Sequence, residues 1–367
     1  MQKKITYRIG DVSKIYSGGD RPEIYSDIQN SECPIPIYSN GLDNEGLYGY
    51  TNKSQIEGDC ITVAARGVNI GTVFYRPTPF LPIVRLLSVI PNRTLVNAKY
   101  LYYYFQIDTI IGTGSAQPQL TIPFFQKKKI LIHEDISYQQ KIASILSAYD
   151  NLIQNYKKQI EALQTASSEL YKEWFVRFRF PGWQNAKFEN GIQEGWKVEK
   201  LGTLANISTG KCNREDAEDD GIYPLFDRSQ EIKKSNEWIK DCEAIIVPGE
   251  GTSFIPRYYK GKFNLHQRCY CVEPKYPDFG KFLFYVLMLN RKYFLSVATG
   301  ATVPSLRYNN FASMKFILPE ICLCNNFNKI ADDIFAKVDN LQQQITNLTQ
   351  QRDLLLPRLM SGKLEVK

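Results

Sequence analysis

Residues 139–180 read QQKIASILSAYDNLIQNYKKQIEALQTASSELYKEWFVRFRF, with no Gly or Pro before Pro181. Ile142, Tyr149, Tyr156, Leu163 and Leu170 recur every seven residues. Leu146, Ile153, Ile160, Ser167 and Trp174 follow four places behind. This is a heptad seam, which asks for a second helix along its length. A second seam closes the chain. Phe327, Ile334, Leu341, Leu348 and Leu355 keep the same period, trailed by Ala331, Val338, Ile345, Arg352 and Leu359. The simplest partner for each long helix is the other, packed side by side. The spacing predicts helices over 139–180 and 323–362.

Working outward, the chain repeats itself. Thr113-Gly-Ser-Ala-Gln-Pro-Gln-Leu120 aligns with Thr299-Gly-Ala-Thr-Val-Pro-Ser-Leu306 at an offset of 299 − 113 = 186, which Phe125 and Phe311 keep. Asp59-Cys60 pairs with Asp241-Cys242, and Ile15-Tyr-Ser-Gly-Gly19 with Ile207-Ser-Thr-Gly-Lys211. Pro36-Ile-Tyr-Ser-Asn40 pairs with Pro224-Leu-Phe-Asp-Arg228. In the helices, Lys141-Ile-Ala143 matches Lys329-Ile-Ala331, and Asp150-Asn-Leu152 matches Asp339-Asn-Leu341. The order is globular unit, long helix, globular unit, long helix. Each globular unit carries short β-rich runs bounded by Gly or Pro: residues 60–65, 71–75 and 83–89 in the first, 244–247, 253–259 and 267–272 in the second. Each also holds one apolar helical candidate, residues 98–107 and 280–289. Residues 181–195, rich in Asn, Gln, Gly and Glu, read as a linker. The expected domains are 1–138, 139–180, 181–195, 196–322 and 323–362. The expected class is α+β: two mostly-β domains alternating with two long helices.

Lys plus Arg number 45 against 38 Asp plus Glu, a net charge of +7. That mild surplus permits an anionic partner without demanding one. Met1-Gln-Lys-Lys opens no signal peptide. The longest apolar run, residues 282–289, is too short to span a bilayer. No membrane role is expected, and a cytoplasmic protein with eight reduced cysteines is. Cys269/Cys271 and Cys322/Cys324 have C-x-C spacing rather than the C-x2-C usual for zinc, so they read as buried structural thiols. With two histidines, no His-cluster metal site exists. Gly210-Lys211 resembles a P-loop end, but Ala205 replaces the first Gly and Cys212 the Ser or Thr. No nucleophile elbow is present. The chain is not expected to be an enzyme.

The repeat, the Thr-Gly-x-x-x-Pro-x-Leu segment closing each domain, Glu173-Trp-Phe-Val-Arg-Phe-Arg-Phe-Pro-Gly182 and Leu354-Leu-Leu-Pro-Arg-Leu-Met-Ser-Gly362 together resemble the specificity subunits of type I restriction–modification systems. The resemblance covers essentially the whole chain. It implies two target-recognition domains, each reading half of a split, asymmetric site on double-stranded DNA. It implies helices paired as an antiparallel coiled coil that set the unread gap. Two methyltransferase subunits would dock on the helices, and motor-nuclease restriction subunits would join them. S-adenosylmethionine, ATP and Mg would belong to those partners, leaving no cofactor on this chain. Two alternatives remain: the DNA-recognition subunit of another restriction system with a fused methylase-nuclease partner, and a coiled-coil protein-interaction scaffold.

Base edges take Arg, Lys, Asn, Gln, Ser and Thr from loops on a steady scaffold. In the first unit those are Arg21, Tyr38, Ser39, Asn40, Arg66, Asn69, Gln117 and Gln119. In the second they are Lys211, Asn213, Arg214, Asp227, Arg228, Thr252, Ser253, Arg257, His266, Arg268 and Arg307. No single one separates from an ordinary solvated loop residue on sequence alone.

Overall fold

The computed structural model describes residues 3–113 and 118–366. The chain divides into two compact units, Met1–Lys157 with Gln343–Lys367, and Lys158–Gln342. Both divisions fall inside long helices, Ile136–Tyr171 and Ile321–Ser361.

In the first unit the opening strand β1 (Lys4–Arg8) pairs antiparallel with β9 (Lys129–His133). Between them lie β2 (Ser13–Ser17), β3 (Ile35–Tyr38), β4 (Leu47–Thr51), β5 (Cys60–Val63), β6 (Val73–Arg76), β7 (Leu81–Pro82) and β8 (Leu87–Pro91). One sheet runs β2-β8-β5-β6 and another β4-β3-β7. The four side chains of β5 are all buried, as a strand covered on both faces requires. The helix Ala98–Ile107 covers this core, as its apolar pattern predicts. Asn97 starts it by accepting the Tyr100 N–H.

The second unit repeats the plan. β12 (Lys197–Lys200) pairs with β19 (Lys315–Leu318) as β1 pairs with β9. β13 (Ala205–Thr209), β14 (Tyr223–Phe226), β15 (Lys233–Ser235), β16 (Lys240–Pro248), β17 (Arg257–Leu265) and β18 (Cys269–Pro274) form one sheet in the order β13-β18-β16-β17-β14-β15. Its first four strands repeat the order β2-β8-β5-β6. The parallel pairing of Leu225 with Asn264 then joins what the first unit keeps as two sheets. The helix Gly280–Leu289 again matches its sequence pattern.

All ten heptad positions of each long helix are buried or half-buried. In the first unit Ile142, Ala143 and Leu146 share a core with Leu356, Leu359 and Met360. Tyr138 accepts the Val366 N–H, and Asp150 pairs with Arg352 at 2.7 Å, so the two segments run antiparallel. Arg352 occupies a seam position that apolar patterning disfavours. Asp150 answers it, held on its other oxygen by the Tyr103 hydroxyl at 2.5 Å. In the second unit Phe327 is fully buried among Tyr171, Trp174, Phe175 and Tyr285. The α+β architecture and the antiparallel helix pairing thus match the expectation.

Three local expectations are corrected. The central α-helix ends at Tyr171, and a π-turn over Lys172–Val176 leads to Phe178 in the left-handed region at φ 57°. Residues 181–195, expected as a linker, carry secondary structure of their own. They include the hairpin of β10 (Phe188–Glu189) and β11 (Ile192–Gln193), turned by Asn190-Gly191 at φ 51° and 78°, and Phe178 packs on Phe188. Residues 83–86 are not strand. Val84 and Arg85 lie at φ 54° and 63°, and their N–H groups donate to the Gly19 and Gly18 carbonyls.

Candidate nucleic-acid interface

In the first unit, loops from distant parts of the sequence are tied by two asparagines. Asn40 follows β3. Its Nδ2 donates to the Val84 carbonyl at 2.6 Å, and its Oδ1 accepts the Ala65 N–H at 2.8 Å. Asn69 Nδ2 donates to the Asn40 carbonyl at 3.0 Å. Arg66 bridges to Gln119, which bridges to Thr113, and the Leu120 N–H donates to the Ala65 carbonyl. Gly71 is required here, because a Cβ would sit 2.2 Å from the Ile110 carbonyl oxygen. The side chains that leave this cluster outward include Arg66, Val68 and Arg85, all exposed. Arg21 stands apart, its guanidinium 4.4 Å over the Tyr25 ring and its NH1 3.4 Å from the Tyr48 hydroxyl. That hydrogen bond, first among its causes, raises the Arg21 pKa.

The second unit builds the matching cluster from different side chains. Asp227 and Arg228 follow β14, as Ser39 and Asn40 follow β3. Asp227 accepts from the Ser229 N–H and hydroxyl, and pairs with Lys233 at 2.7 Å. Burial opposes its charge, but the Lys233 and Ser229 hydrogen bonds outweigh that and hold its pKa at about 2. Arg228 reaches Glu250 at 2.7 Å, and Arg268 contacts the other oxygen of the same carboxylate. Burial opposes the Glu250 charge too, and Arg268 and Arg228 together keep its pKa below the usual range. His266 Nδ1 accepts the Arg268 N–H, which leaves the neutral ring's proton on Nε2. Burial first, then Arg228, lowers its pKa. Arg214, Asp227, Arg228, Glu250, His266 and Val303 line a hollow of about 260 Å³. Glu250 bridges to Ser305, which bridges to Thr299, repeating the Arg66–Gln119–Thr113 arrangement.

Residues 1–165 and 193–353 match the family model of the type I restriction modification DNA specificity domain, once per repeat. The chain belongs to this family. It is 27% identical over 346 residues to the MjaIX type I restriction enzyme specificity subunit of Methanocaldococcus jannaschii, covering 81% of this chain and 76% of that one. It is 25% identical over 404 residues to the MjaVIII specificity subunit of the same organism, covering 98% and 92%. Its fold matches the crystal structure of a type I restriction-modification S subunit from M. genitalium with a TM-score of 0.68 at 18% identity, covering 98% and 96%. The chain is therefore the DNA-recognition component of a type I system.

Among the residues chosen from the sequence, the structure gathers Arg214, Asp227, Arg228, His266 and Arg268 around one hollow. It gathers Asn40, Arg66, Asn69 and Gln119 in the other domain. Several of these turn inward. Asn40 and Asn69 spend their amides on loop backbone. Ser39 faces the Gly46 carbonyl at 3.4 Å. The Tyr38 ring lies under the Arg76 guanidinium and against Phe80. Arg257 donates to the Ser229 carbonyl, and 3.5 Å separates it from that of Asp227. Burial lowers its pKa. All five are half-buried and contact loop backbone or neighbouring rings, so in this structure they shape the loops. Asn213 accepts from Gln267 Nε2. The Ser253 carbonyl accepts from Arg291. Arg307 opens the short helix Tyr308–Ala312. Lys211 and Thr252 are exposed. Gln117 lies outside the described residues. Glu250, Arg76 and Arg85 carry no motif that sequence reading could have used.

Three of the four C-x-C thiols are buried as expected, whereas Cys322, near the start of the C-terminal helix, is exposed and corrects that expectation. Cys269 and Cys271 are buried on β18, and burial pushes both up to about 12. No cluster able to hold a metal occurs among the described residues. None of the described helices is long and apolar enough to cross a membrane.

Proposed function

We propose that each domain reads one half of a bipartite, asymmetric DNA site through its loop cluster. The observation that carries this reading is the pair of equivalent loop frameworks bearing different side chains. Arg66 and Gln119 in one stand where Glu250 and Ser305 stand in the other. Arg228, Arg268, Arg214 and His266 are the base-edge candidates of the second domain, and Arg66, Gln119 and Arg21 those of the first. Guanidinium forks favour guanine O6 and N7, whereas amides favour adenine, so unlike side chains on like frameworks favour unlike half-sites. The paired helices set the gap and offer docking faces for two methyltransferase subunits, which motor-nuclease subunits join. Methyl transfer from S-adenosylmethionine and ATP- and Mg-dependent cleavage belong to those partners.

Domain exchange tests the reading. Residues 1–138 are replaced by those of a relative, the chimera is expressed with its methyltransferase subunit, and the methylome is sequenced. One half of the methylated motif is expected to change while the other and the gap stay. A change in both halves would refute one-domain, one-half reading.

A further inference from the structure

The recognition loops of the second domain hold an acid at their centre, which a surface meant for DNA does not call for. Glu250 is nearly enclosed, its side chain 12% exposed, while Arg228 and Arg268 on either side are 48% and 57% exposed. The three groups come from three loops, and each loop is fixed separately. The turn carrying Arg228 is closed by Asp227, Ser229 and Lys233 and fastened from beneath by Arg257. The Arg268 N–H is committed to His266 Nδ1. Gly249 donates its N–H to the Arg268 carbonyl, accepts the Leu306 N–H, and has no room for a Cβ, which would sit 2.7 Å from the Arg268 oxygen. Glu250 is thus a fixed carboxylate with one guanidinium on each oxygen.

We propose that Glu250 is a positioning residue that presents Arg228 and Arg268 as a paired fork for guanine in the second half-site. This rests on the reading that the second domain recognises one half-site. Each guanidinium has five N–H groups. Glu250 engages NH1 of each, leaving further donors for O6 and N7. A free arginine side chain must be ordered on binding, and a salt-bridged one is ordered beforehand. The acid has a second effect. It cancels one of the two positive charges, so the pair attracts phosphate less than two free arginines would. Glu250 therefore raises discrimination by favouring the cognate base and weakening indiscriminate binding. In the first domain the equivalent place holds Arg66 with no such acid bridged to Gln119, so this device belongs to one half-site only.

The test uses the full chain with its methyltransferase subunit, on a duplex carrying the methylated motif and on duplexes scrambled in either half, at roughly 50 to 200 mM salt. For Glu250→Gln we expect cognate affinity to fall about tenfold or more. Binding to scrambled DNA should strengthen, with its salt dependence steepened by up to about one charge. Glu250→Asp, which keeps the charge on a shorter arm, should recover part of the discrimination. Discrimination at the first half-site should not move. Equal weakening on cognate and scrambled DNA, or an unchanged ratio and salt slope, would overturn the proposal. A wild-type methylome without any bipartite motif would remove the underlying reading and this inference with it.

Discussion

Arg76 offers a sharp test of how the first domain holds its recognition loops. It ends β6 and is 2% exposed. Its guanidinium carbon lies 3.6 Å above the Tyr38 ring. Nε donates to the Thr62 hydroxyl at 3.1 Å, and NH2 to the Glu45 carbonyl at 2.5 Å. NH1 lies 3.4 Å from the Glu45 carboxylate, which is 57% exposed and contributes little through water. The loop so fastened contains Asn44, Glu45 and Gly46 at φ 46°, 56° and 79°. Left-handed backbone costs roughly 1–2 kcal/mol for each non-glycine residue. The tie to the Glu45 carbonyl contributes about 1.5–3 kcal/mol, as hydrogen bonds to charged groups do. Tie and strain are thus of similar size, and removing the tie should release the loop.

Arg76→Met keeps much of the methylene volume, loses every donor and also removes a buried charge, which burial already disfavours. The expected global loss is therefore modest, on the order of 1–3 kcal/mol, while the local effect is large. Hydrogen exchange should rise at residues 39–46, where the Ser39 N–H donates to the Gly46 carbonyl. The methylome should show a degenerate first half-site and an intact second one. Unchanged exchange in that loop, or equal fading of both halves, would refute the reasoning.

Two further outcomes are expected. Phe327→Ala opens a cavity among four rings at 5.4–6.1 Å and should cost about 3–5 kcal/mol; all four tryptophans, at 174, 183, 196 and 238, lie in Lys158–Gln342, so tryptophan fluorescence in urea reads that unit's transition directly. His133 is 1% exposed, and burial first, then Lys4, lowers its pKa from 6.5 to about 4. Between those values the unfolded chain takes up a proton that the folded one refuses. Stability should therefore be lost as pH falls from about 6.5 towards 4, by on the order of 1–3 kcal/mol, and a melting series should show His133→Gln losing less over that range.

The helices and the repeat were legible because both rest on periodic or duplicated apolar residues. Burial enforces such patterns along the whole element. The helices 98–107 and 280–289 were legible for the same reason. The Thr113–Leu120 and Thr299–Leu306 match reflects a shared backbone feature: Thr113–Gln119 and Thr299–Ser305 make the same bridge. What stayed hidden was set by contacts between residues far apart in sequence. Val84 and Arg85 have strand-like composition, yet their backbone bends to reach Gly18 and Gly19. Asn40 and Arg228 occupy one repeat position, yet one turns inward to Ala65 and Val84 and the other outward to Glu250.

Arg76 and Arg257 show why the candidate recognition residues in particular escape a sequence reading. Tyr38 and Phe226 are equivalent in the repeat, and each is partly covered by an arginine, buried Arg76 or half-buried Arg257, whose guanidinium carbon lies 3.6 Å or 5.7 Å from the ring centre. Each arginine donates to backbone carbonyls of the loop that follows, at Glu45 or at Ser229. Yet Arg76 ends β6 and Arg257 begins β17, so the two do not occupy matching places. The requirement is physical: a surface loop held in one fixed shape has unpaired carbonyls, and a fork of N–H donors from below satisfies them. Any arginine able to reach from the neighbouring strand meets that need. Side-chain type alone therefore sorts Arg257 with base readers and overlooks Arg76, although the two do the same work. Only the direction in which each guanidinium points separates an arginine that holds the loop from one, such as Arg228, that the loop holds out.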